Sequence, residues 1–325
     1  MNIAIFDVKP WEKPLFVKAL KKHKVTYFTE PIQKVNIKKL QKTEVISCFI
    51  TSKVDKRIID QLPNLKLVAT RSTGFDHIDC KELEKRKIKV MNVPSYGENT
   101  VAEHTFALIL TLSRNIHQSY LRTIKNNFSI DGLKGFDLCQ KTIGVIGTGR
   151  IGSHVIRIAK GFEMNVLGYD GYPNKDLEKK LGFKYVSLKE LLQRSDIITL
   201  HLPFSKETEH IINLQNIKYI KKGALLINTA RGGLVQTSAL IKALDENIIS
   251  EVGLDVLEEE NLILEEHHLL PHGLKHRKAL GMIIKNHKLL KRKNVIFTPH
   301  IAFFSQEAVD RITKSTIENI LAFHP

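Results

Sequence analysis

The run Thr142-Ile143-Gly144-Val145-Ile146-Gly147-Thr148-Gly149-Arg150-Ile151-Gly152 sets an apolar strand directly before a GxGxxG turn. A helical pattern follows, then a second strand at Asn165 to Tyr169, and Asp170 stands 18 positions (170 − 152) after Gly152. Strand, glycine turn, helix, strand and terminal acid in that order make a dinucleotide-binding fingerprint, which a bare GxGxxG does not. Gly147 permits the tight turn, Gly149 lets main chain approach a pyrophosphate, and Gly152 lets the helix pack close to the sheet. The N–H groups that open the helix lack intrahelical partners and suit phosphate. Asp170 accepts both ribose hydroxyls and repels a 2′-phosphate. No Arg or Lys follows it until Lys175, so NAD is expected over NADP. The alternative, a glycine-rich turn without a ligand, does not account for the whole context.

The 325 residues suffice for two domains, and a 42% apolar content fills two ordinary cores. No stretch approaches the roughly 18 apolar residues of a membrane span. Met1 to Asp7 reads as an opening strand ended by an acid rather than as a signal peptide. A soluble, cytoplasmic protein with no membrane partner is expected. Cys48, Cys80 and Cys139 lie far apart without a CxxC spacing, so they read as inert core thiols. The formal charge of +16, from 50 basic against 34 acidic residues, hints by itself at a polyanion. The lysines are spread along the chain, however, so no nucleic-acid partner is expected and the positive field serves small anions.

Short apolar runs alternate with amphipathic stretches from end to end, the pattern of parallel sheets covered by helices. The first block shows strands at Asn2 to Asp7, Val25 to Phe28, Val45 to Ile50, Leu65 to Arg71 and Lys89 to Asn92, with a helix near Lys13 to Lys22. Thr100 to Asn126 reads as one long helix, because Val101, Thr105, Leu108, Leu112, Ile116 and Tyr120 recur at helical spacing. From Thr142 the second block continues with strands at Asn165 to Tyr169, Ile197 to His201, Ala224 to Asn228, Ile249 to Asp255 and Val295 to Thr298. A helix from Ser305 has no later strand to serve and is assigned back to the first block. The expected domains are therefore residues 1–98 with 300–325, and residues 99–299. Residues 262–293 break the rhythm and carry His267, His268, His272, His276 and His287, none paired with a cysteine, so no metal is expected there. Asp76, His77 and Asp79 read as a turn followed by a helix cap at Asp79.

Strand ends in an open α/β sheet deliver side chains to the crevice above it. In the second block these ends carry His201-Leu202-Pro203, Thr229-Ala230-Arg231-Gly232-Gly233, Asp255 with Glu258 to Glu260, and Thr298-Pro299-His300. An arginine, a carboxylate and a histidine thus gather where a nicotinamide should lie. Arg231 offers a planar fork that holds a carboxylate and polarises an adjacent carbonyl. His300 can protonate the oxygen that forms as hydride arrives at carbon. Glu260 can hold that imidazole and favour its charged form. Taken singly, each has a plainer reading: a surface ion pair for Arg231, a helix-start carboxylate for Glu260, a satisfied loop histidine for His300.

A longer series of motifs surrounds these residues. It comprises Arg71-Ser72-Thr73-Gly74-Phe75-Asp76-His77-Ile78-Asp79, Val93-Pro94-Ser95-Tyr96, Asn99-Thr100-Val101-Ala102-Glu103-His104, Gly147 to Gly152, Asn228 to Gly232, Gly253-Leu254-Asp255-Val256, Glu260, and Thr298-Pro299-His300-Ile301-Ala302. In that order, over nearly the whole chain, it resembles the D-isomer-specific 2-hydroxyacid dehydrogenases. The resemblance implies two doubly wound parallel-sheet α/β domains, a Rossmann NAD-binding domain and a smaller flavodoxin-like substrate domain. It implies that Arg231, Glu260 and His300 are the catalytic arginine, glutamate and histidine. It further implies that main-chain N–H groups of Thr73 and Gly74 bind the substrate carboxylate, that Tyr96 faces the substrate, and that Arg231 does too. Cofactor contacts are implied for Gly147, Gly149, Arg150, Ile151, Gly152, Asp170, Leu202, Pro203, Thr208, Thr229, Ala230, Arg231 and Asp255. A small 2-oxo or 2-hydroxy carboxylate substrate and a homodimer follow from the same resemblance. Phe303-Phe304 after His300 resembles the D-lactate dehydrogenase branch. Glycerate, phosphoglycerate or 2-hydroxyisocaproate activity, or an NAD-sensing regulator on the same fold, are the alternatives.

Overall fold

The computed structural model describes residues 1–260, 262 and 277–324. The chain divides into two compact units, Met1–Gly97 with Phe304–Pro325, and Glu98–Phe303. In the first unit, β1 (Asn2–Ile5), β2 (Lys24–Tyr27), β3 (Val45–Cys48), β4 (Leu67–Thr70) and β5 (Lys89–Met91) are joined by crossovers that include α1 (Lys13–Ala19), α2 (Lys56–Ile59) and α3 (Cys80–Lys85). All five strands run parallel in the order β2-β1-β3-β4-β5, a flavodoxin-like doubly wound sheet. Alternate residues serve opposite faces: Ala4, Ile46 and Val68 enter one core, Ile3, Ile5, Val45, Leu67 and Ala69 the other. Asp79 caps α3, accepting from Glu82 N at 3.1 Å, as the turn reading anticipated.

The second unit holds α4 (Glu98–Ser113), α5 (Ile116–Thr123), β6 (Thr142–Ile146), α6 (Arg150–Gly161), β7 (Asn165–Tyr169), α7 (Lys175–Leu181), β8 (Lys184–Tyr185), α8 (Leu188–Arg194), β9 (Ile197–Leu200), β10 (Ala224–Asn228), α9 (Thr237–Asp245), β11 (Ile249–Leu254), α10 (Arg277–Leu290) and β12 (Val295–Phe297). Its parallel sheet runs β8-β7-β6-β9-β10-β11-β12, so the winding direction reverses between β6 and β9. In such sheets the ligand crevice opens at the strands' carboxyl ends beside that reversal. Val145, Ile197, Leu225 and Ile227 pack against Phe106, Ile109 and Leu112 of α4 on one face, while Ile146, Ile198, Leu200 and Leu226 build the other core. The last helix, α11 (Gln306–Ala322), belongs to the first unit, where it packs on α1 and β4 through Ile320. Ser305 caps it, accepting from Ala308 N at 3.2 Å.

Two expectations need correction, and one element was not foreseen. The single helix over Thr100 to Asn126 is two helices, α4 and α5, because Asn115 takes a left-handed φ of 51° that ends the first. The two-residue edge strand β8 was too short to read from alternation. Of the three cysteines only Cys48 is a core thiol, since Cys80 is half-buried and Cys139 exposed. α10 occupies part of the stretch that breaks the strand–helix rhythm. His267, His268, His272 and His276 lie outside the described residues. No helix among the described residues is long and apolar enough to cross a membrane.

Candidate active site

Each glycine of the turn after β6 has its own physical reason. Gly147 sits at φ 95°, and a Cβ there would lie 2.7 Å from His201 C and Leu202 N, so the turn is pressed against the end of β9. A Cβ on Gly152 would stand 2.0 Å from Gly147 O, which fixes how closely α6 approaches the turn. Gly149 differs. A Cβ there would meet nothing within 4 Å, its N–H has no partner among the described residues, and no side chain caps α6. Open space over an uncapped helix N-terminus is what a pyrophosphate requires.

Asp170, at the end of β7, holds this turn in place: its Oδ2 accepts from Thr148 N at 2.7 Å and Thr148 Oγ1 at 3.1 Å, and its Oδ1 from Tyr172 N at 3.0 Å. Fixed in this way, the carboxylate keeps one lone-pair site, on Oδ1, for a ribose hydroxyl. Ile151 packs into the α4-side core, whereas Arg150 is largely exposed, 3.8 Å from Glu98 Oε1. Beyond β9, Thr208 Oγ1 donates to Pro203 O at 2.7 Å and closes the Pro203–Thr208 turn, with Leu202 part-buried below it. Thr229 is buried against Thr105 at 2.8 Å, and Ala230 N donates to Asn228 Oδ1 at 3.1 Å. These residues fit a dinucleotide along the crevice from β7 to β10.

Two histidines stand at strand ends, and their surroundings separate them. Burial pushes the His201 imidazole down to about 3, its Nε2 lies 2.9 Å from Thr199 Oγ1, and its buried Nδ1 has no partner among the described residues. It is neutral at working pH and cannot be the proton donor. His300 is half-buried, with Nδ1 2.8 Å from Glu260 Oε1. The contact leaves Nε2 as the nitrogen that can address a substrate.

The His300 turn rests on Asp255, which is 0% exposed. Its Oδ1 accepts from Thr298 Oγ1 at 2.5 Å and Ile301 N at 2.9 Å, and its Oδ2 from Ala302 N at 2.8 Å. His104 of α4 joins this network, 2.9 Å from Thr298 Oγ1. With the backbone so tied, His300 is held at φ 54°, a conformation that costs a non-glycine residue about 1–3 kcal/mol and collects at functional sites. Asp255 and His104 therefore act as supports for His300, a use that neither motif reveals by itself.

Arg231 follows β10. Asn228 Nδ2 donates to Arg231 O at 2.9 Å and shapes the loop, while Arg231 Nη1 donates to Ala230 O at 2.8 Å. A Cβ on Gly232 would overlap Leu257 O at 1.9 Å, so the arginine loop lies directly on the segment that leads to Glu260. The structure thus brings the Arg231 loop, Glu260 and His300 to one edge of one sheet.

Thr73, Gly74 and Tyr96 belong to the first unit. Thr73 is pinned on both sides, Oγ1 donating to Val93 O at 2.8 Å and O accepting from Asn92 Nδ2 at 2.7 Å. The N–H groups of Thr73, Gly74 and Phe75 make no hydrogen bond among the described residues, and consecutive free amides of this kind suit an anion. Arg71 supports the loop from beneath, fully buried, donating to Phe6 O at 2.7 Å with Nε 3.4 Å from Glu12 Oε1. Tyr96 O accepts from Arg311 Nε of α11 at 2.6 Å.

Comparison with known proteins accords with this geometry. Residues 106–302 match the model of the D-isomer specific 2-hydroxyacid dehydrogenase, NAD binding domain. A 2-hydroxyacid dehydrogenase homolog of Schizosaccharomyces pombe is 37% identical, over 99% of this chain and 96% of its own. A glyoxylate reductase of Korarchaeum cryptofilum is 35% identical over 90% and 83%. The crystal structure of D-lactate dehydrogenase from Aquifex aeolicus complexed with NAD and lactic acid superposes with a TM-score of 0.88, at 40% identity over 99% and 95% of the two chains. A glycine turn open to phosphate, an acid at the second strand's end and these matches lead to one conclusion: the chain belongs to the D-isomer-specific 2-hydroxyacid dehydrogenase family, as an NAD-dependent oxidoreductase.

Proposed function

We propose that this enzyme is a D-lactate dehydrogenase, in which His300 passes a proton to or from the substrate oxygen, Glu260 supports it and Arg231 anchors the carboxylate. The observation that carries the reading is the 2.8 Å contact between His300 Nδ1 and Glu260 Oε1, which reserves Nε2 for the substrate. When bound, the cofactor supplies hydride to the acid's carbonyl carbon. His300 delivers the balancing proton from Nε2 to the carbonyl oxygen, and in the reverse direction takes it back. Arg231 binds the carboxylate through its fork and draws charge toward the carbonyl as it becomes an alkoxide. In the first unit, the free amides of Thr73 and Gly74 support a role in carboxylate binding, and Tyr96 is assigned to the substrate as well. Gly147, Gly149, Arg150, Ile151, Gly152, Asp170, Leu202, Pro203, Thr208, Thr229 and Ala230 are assigned to NAD; Asp255 acts chiefly through the His300 turn.

Pyruvate as substrate is supported by the relative crystallised with lactic acid and by the aromatic pair Phe303-Phe304. The glyoxylate reductase relative favours a second reading, in which the acid lacks the methyl group. NADH consumption over pyruvate, 2-oxobutyrate, 2-oxo-4-methylpentanoate, hydroxypyruvate and glyoxylate decides between them. Pyruvate is expected to lead in kcat/KM, by about tenfold over glyoxylate, the usual worth of one well-packed methyl. A lead for glyoxylate or hydroxypyruvate overturns the lactate assignment.

The assembly proposed is a homodimer. Ile116, Tyr120, Leu121, Ile124, Phe128 and Ile130 leave apolar side chains more than half exposed on and after α5, a surface that a second copy would cover. Free cysteines among the described residues suit a reducing compartment, and the cytoplasm is proposed on that basis.

A further inference from the structure

Beside the Glu260–His300 contact lies a second histidine–carboxylate pair. His210 Nε2 is 2.6 Å from Glu258 Oε1, with the two side chains 31% and 13% exposed. The other oxygen of Glu258 is also committed, since Oε2 accepts from Thr237 N at 2.8 Å at the start of α9. Its carbonyl accepts from Asn286 Nδ2 at 3.0 Å, from a fully buried side chain of α10. Glu258 is thus tied at three points to three separate elements.

The two residues downstream of Glu258 give these ties a purpose. Glu259 is forced to φ 52°, and the sharp turn it makes carries Glu260 back over the segment, with Oε2 3.3 Å from Leu257 N and Oε1 on His300. A left-handed turn at a glutamate is held only where its surroundings determine it, and here the determining anchor is one residue upstream. His210 is itself held at φ 50°, with its N donating to Gly233 O at 2.8 Å and its O accepting from Asn213 Nδ2 at 2.8 Å. It therefore joins the loop two residues beyond Arg231 to the residue two before Glu260.

We infer that His210 and Glu258 are positioning residues, a brace that sets the Glu260 carboxylate against His300 and keeps it in register with the Arg231 loop. The inference rests on the proposed role of His300 as proton donor. Neither His210 nor Glu258 is assigned to substrate or cofactor: the pair acts through Glu260 alone. A misplacement of about 1 Å at a reacting group costs up to about 100-fold in rate, so the loss of a brace should appear in turnover before it appears in binding.

The test is a double-mutant cycle. His210→Ala is expected to lower kcat for the preferred 2-oxo acid about 10- to 100-fold. Its KM, and the NADH affinity read by fluorescence titration, should stay within about twofold of wild type. His210→Gln, whose amide can still donate to Glu258, should recover most of the rate. In a Glu260→Gln background, His210→Ala should change kcat less than about twofold, because the group it positions is already gone. Multiplicative losses in the double variant overturn the inference, as does an unchanged kcat in His210→Ala or a loss shared equally by kcat, KM and NADH affinity. Should His210→Ala fail to fold, Glu258→Gln, which keeps the side-chain shape, takes its place in the same cycle. A wild-type rate in His300→Gln would instead refute the underlying assignment of the proton donor, so the two failures are distinguishable.

Discussion

Replacing His300 with Gln is expected to lower kcat for the preferred 2-oxo acid by about 10²- to 10⁴-fold, with NADH affinity changed less than about threefold. Reduction of a ketone places negative charge on oxygen, and the step is slow unless a proton arrives as that charge forms. In the proposed step the nitrogen that serves the substrate is Nε2, because Nδ1 is occupied by Glu260 at 2.8 Å. A glutamine amide can still hydrogen-bond but has no acidic proton to give at working pH. The cofactor turn lies elsewhere on the sheet, after β6, and is fastened by Asp170 rather than by His300. Steady-state kcat and a fluorescence titration of NADH separate the two effects, and unfolding midpoints exclude a folding defect. A variant that turns over at the wild-type rate would remove His300 from the proton step.

The second large effect concerns Arg231. Arg231→Lys is expected to lower kcat/KM for the 2-oxo acid about 10²- to 10³-fold although the charge is kept, in line with losing a hydrogen-bonded charge pair. Geometry is the reason. The loop is fixed from within by Asn228 and from below by the contact of Gly232 with Leu257, so a side chain here works from a set backbone position. A guanidinium can meet a carboxylate with two parallel bonds, whereas an ammonium is a compact point charge with a shorter reach. Most of the loss should appear as a raised KM if the contact is equally strong in ground and transition states, and in kcat if it strengthens as the alkoxide forms. Initial rates at saturating NADH over a wide range of the acid measure both. Wild-type kcat/KM in Arg231→Lys would mean that the fork is not what holds the carboxylate.

How far the molecule was legible in its sequence depended on the length scale of each feature. The nucleotide turn was readable because its demands are local: φ 95° at Gly147 and a 2.0 Å clash at Gly152 leave glycine as the residue that fits. Parallel strands were readable because burial on both faces makes them apolar throughout. Pattern failed where a single residue overruled it, as at Asn115, where helical spacing continues across the break between α4 and α5. It failed again at β8, two residues on a sheet edge. Within the site, Glu260 and His300 could be placed at neighbouring strand ends, but their supports could not. Asp255 looks like one more acid at a strand end, and only the fold shows its carboxylate spent on Thr298, Ile301 and Ala302. His210 and Glu258 lie 48 positions apart in the chain, and no spacing rule connects them.

Chiral analysis of the product tests the central claim most directly. Wild-type protein incubated with NADH and pyruvate should yield one D-lactate for each NADH consumed, and His300→Gln should yield at most about a hundredth as much over the same period. L-lactate, or NADH oxidised without a matching amount of lactate, would contradict it.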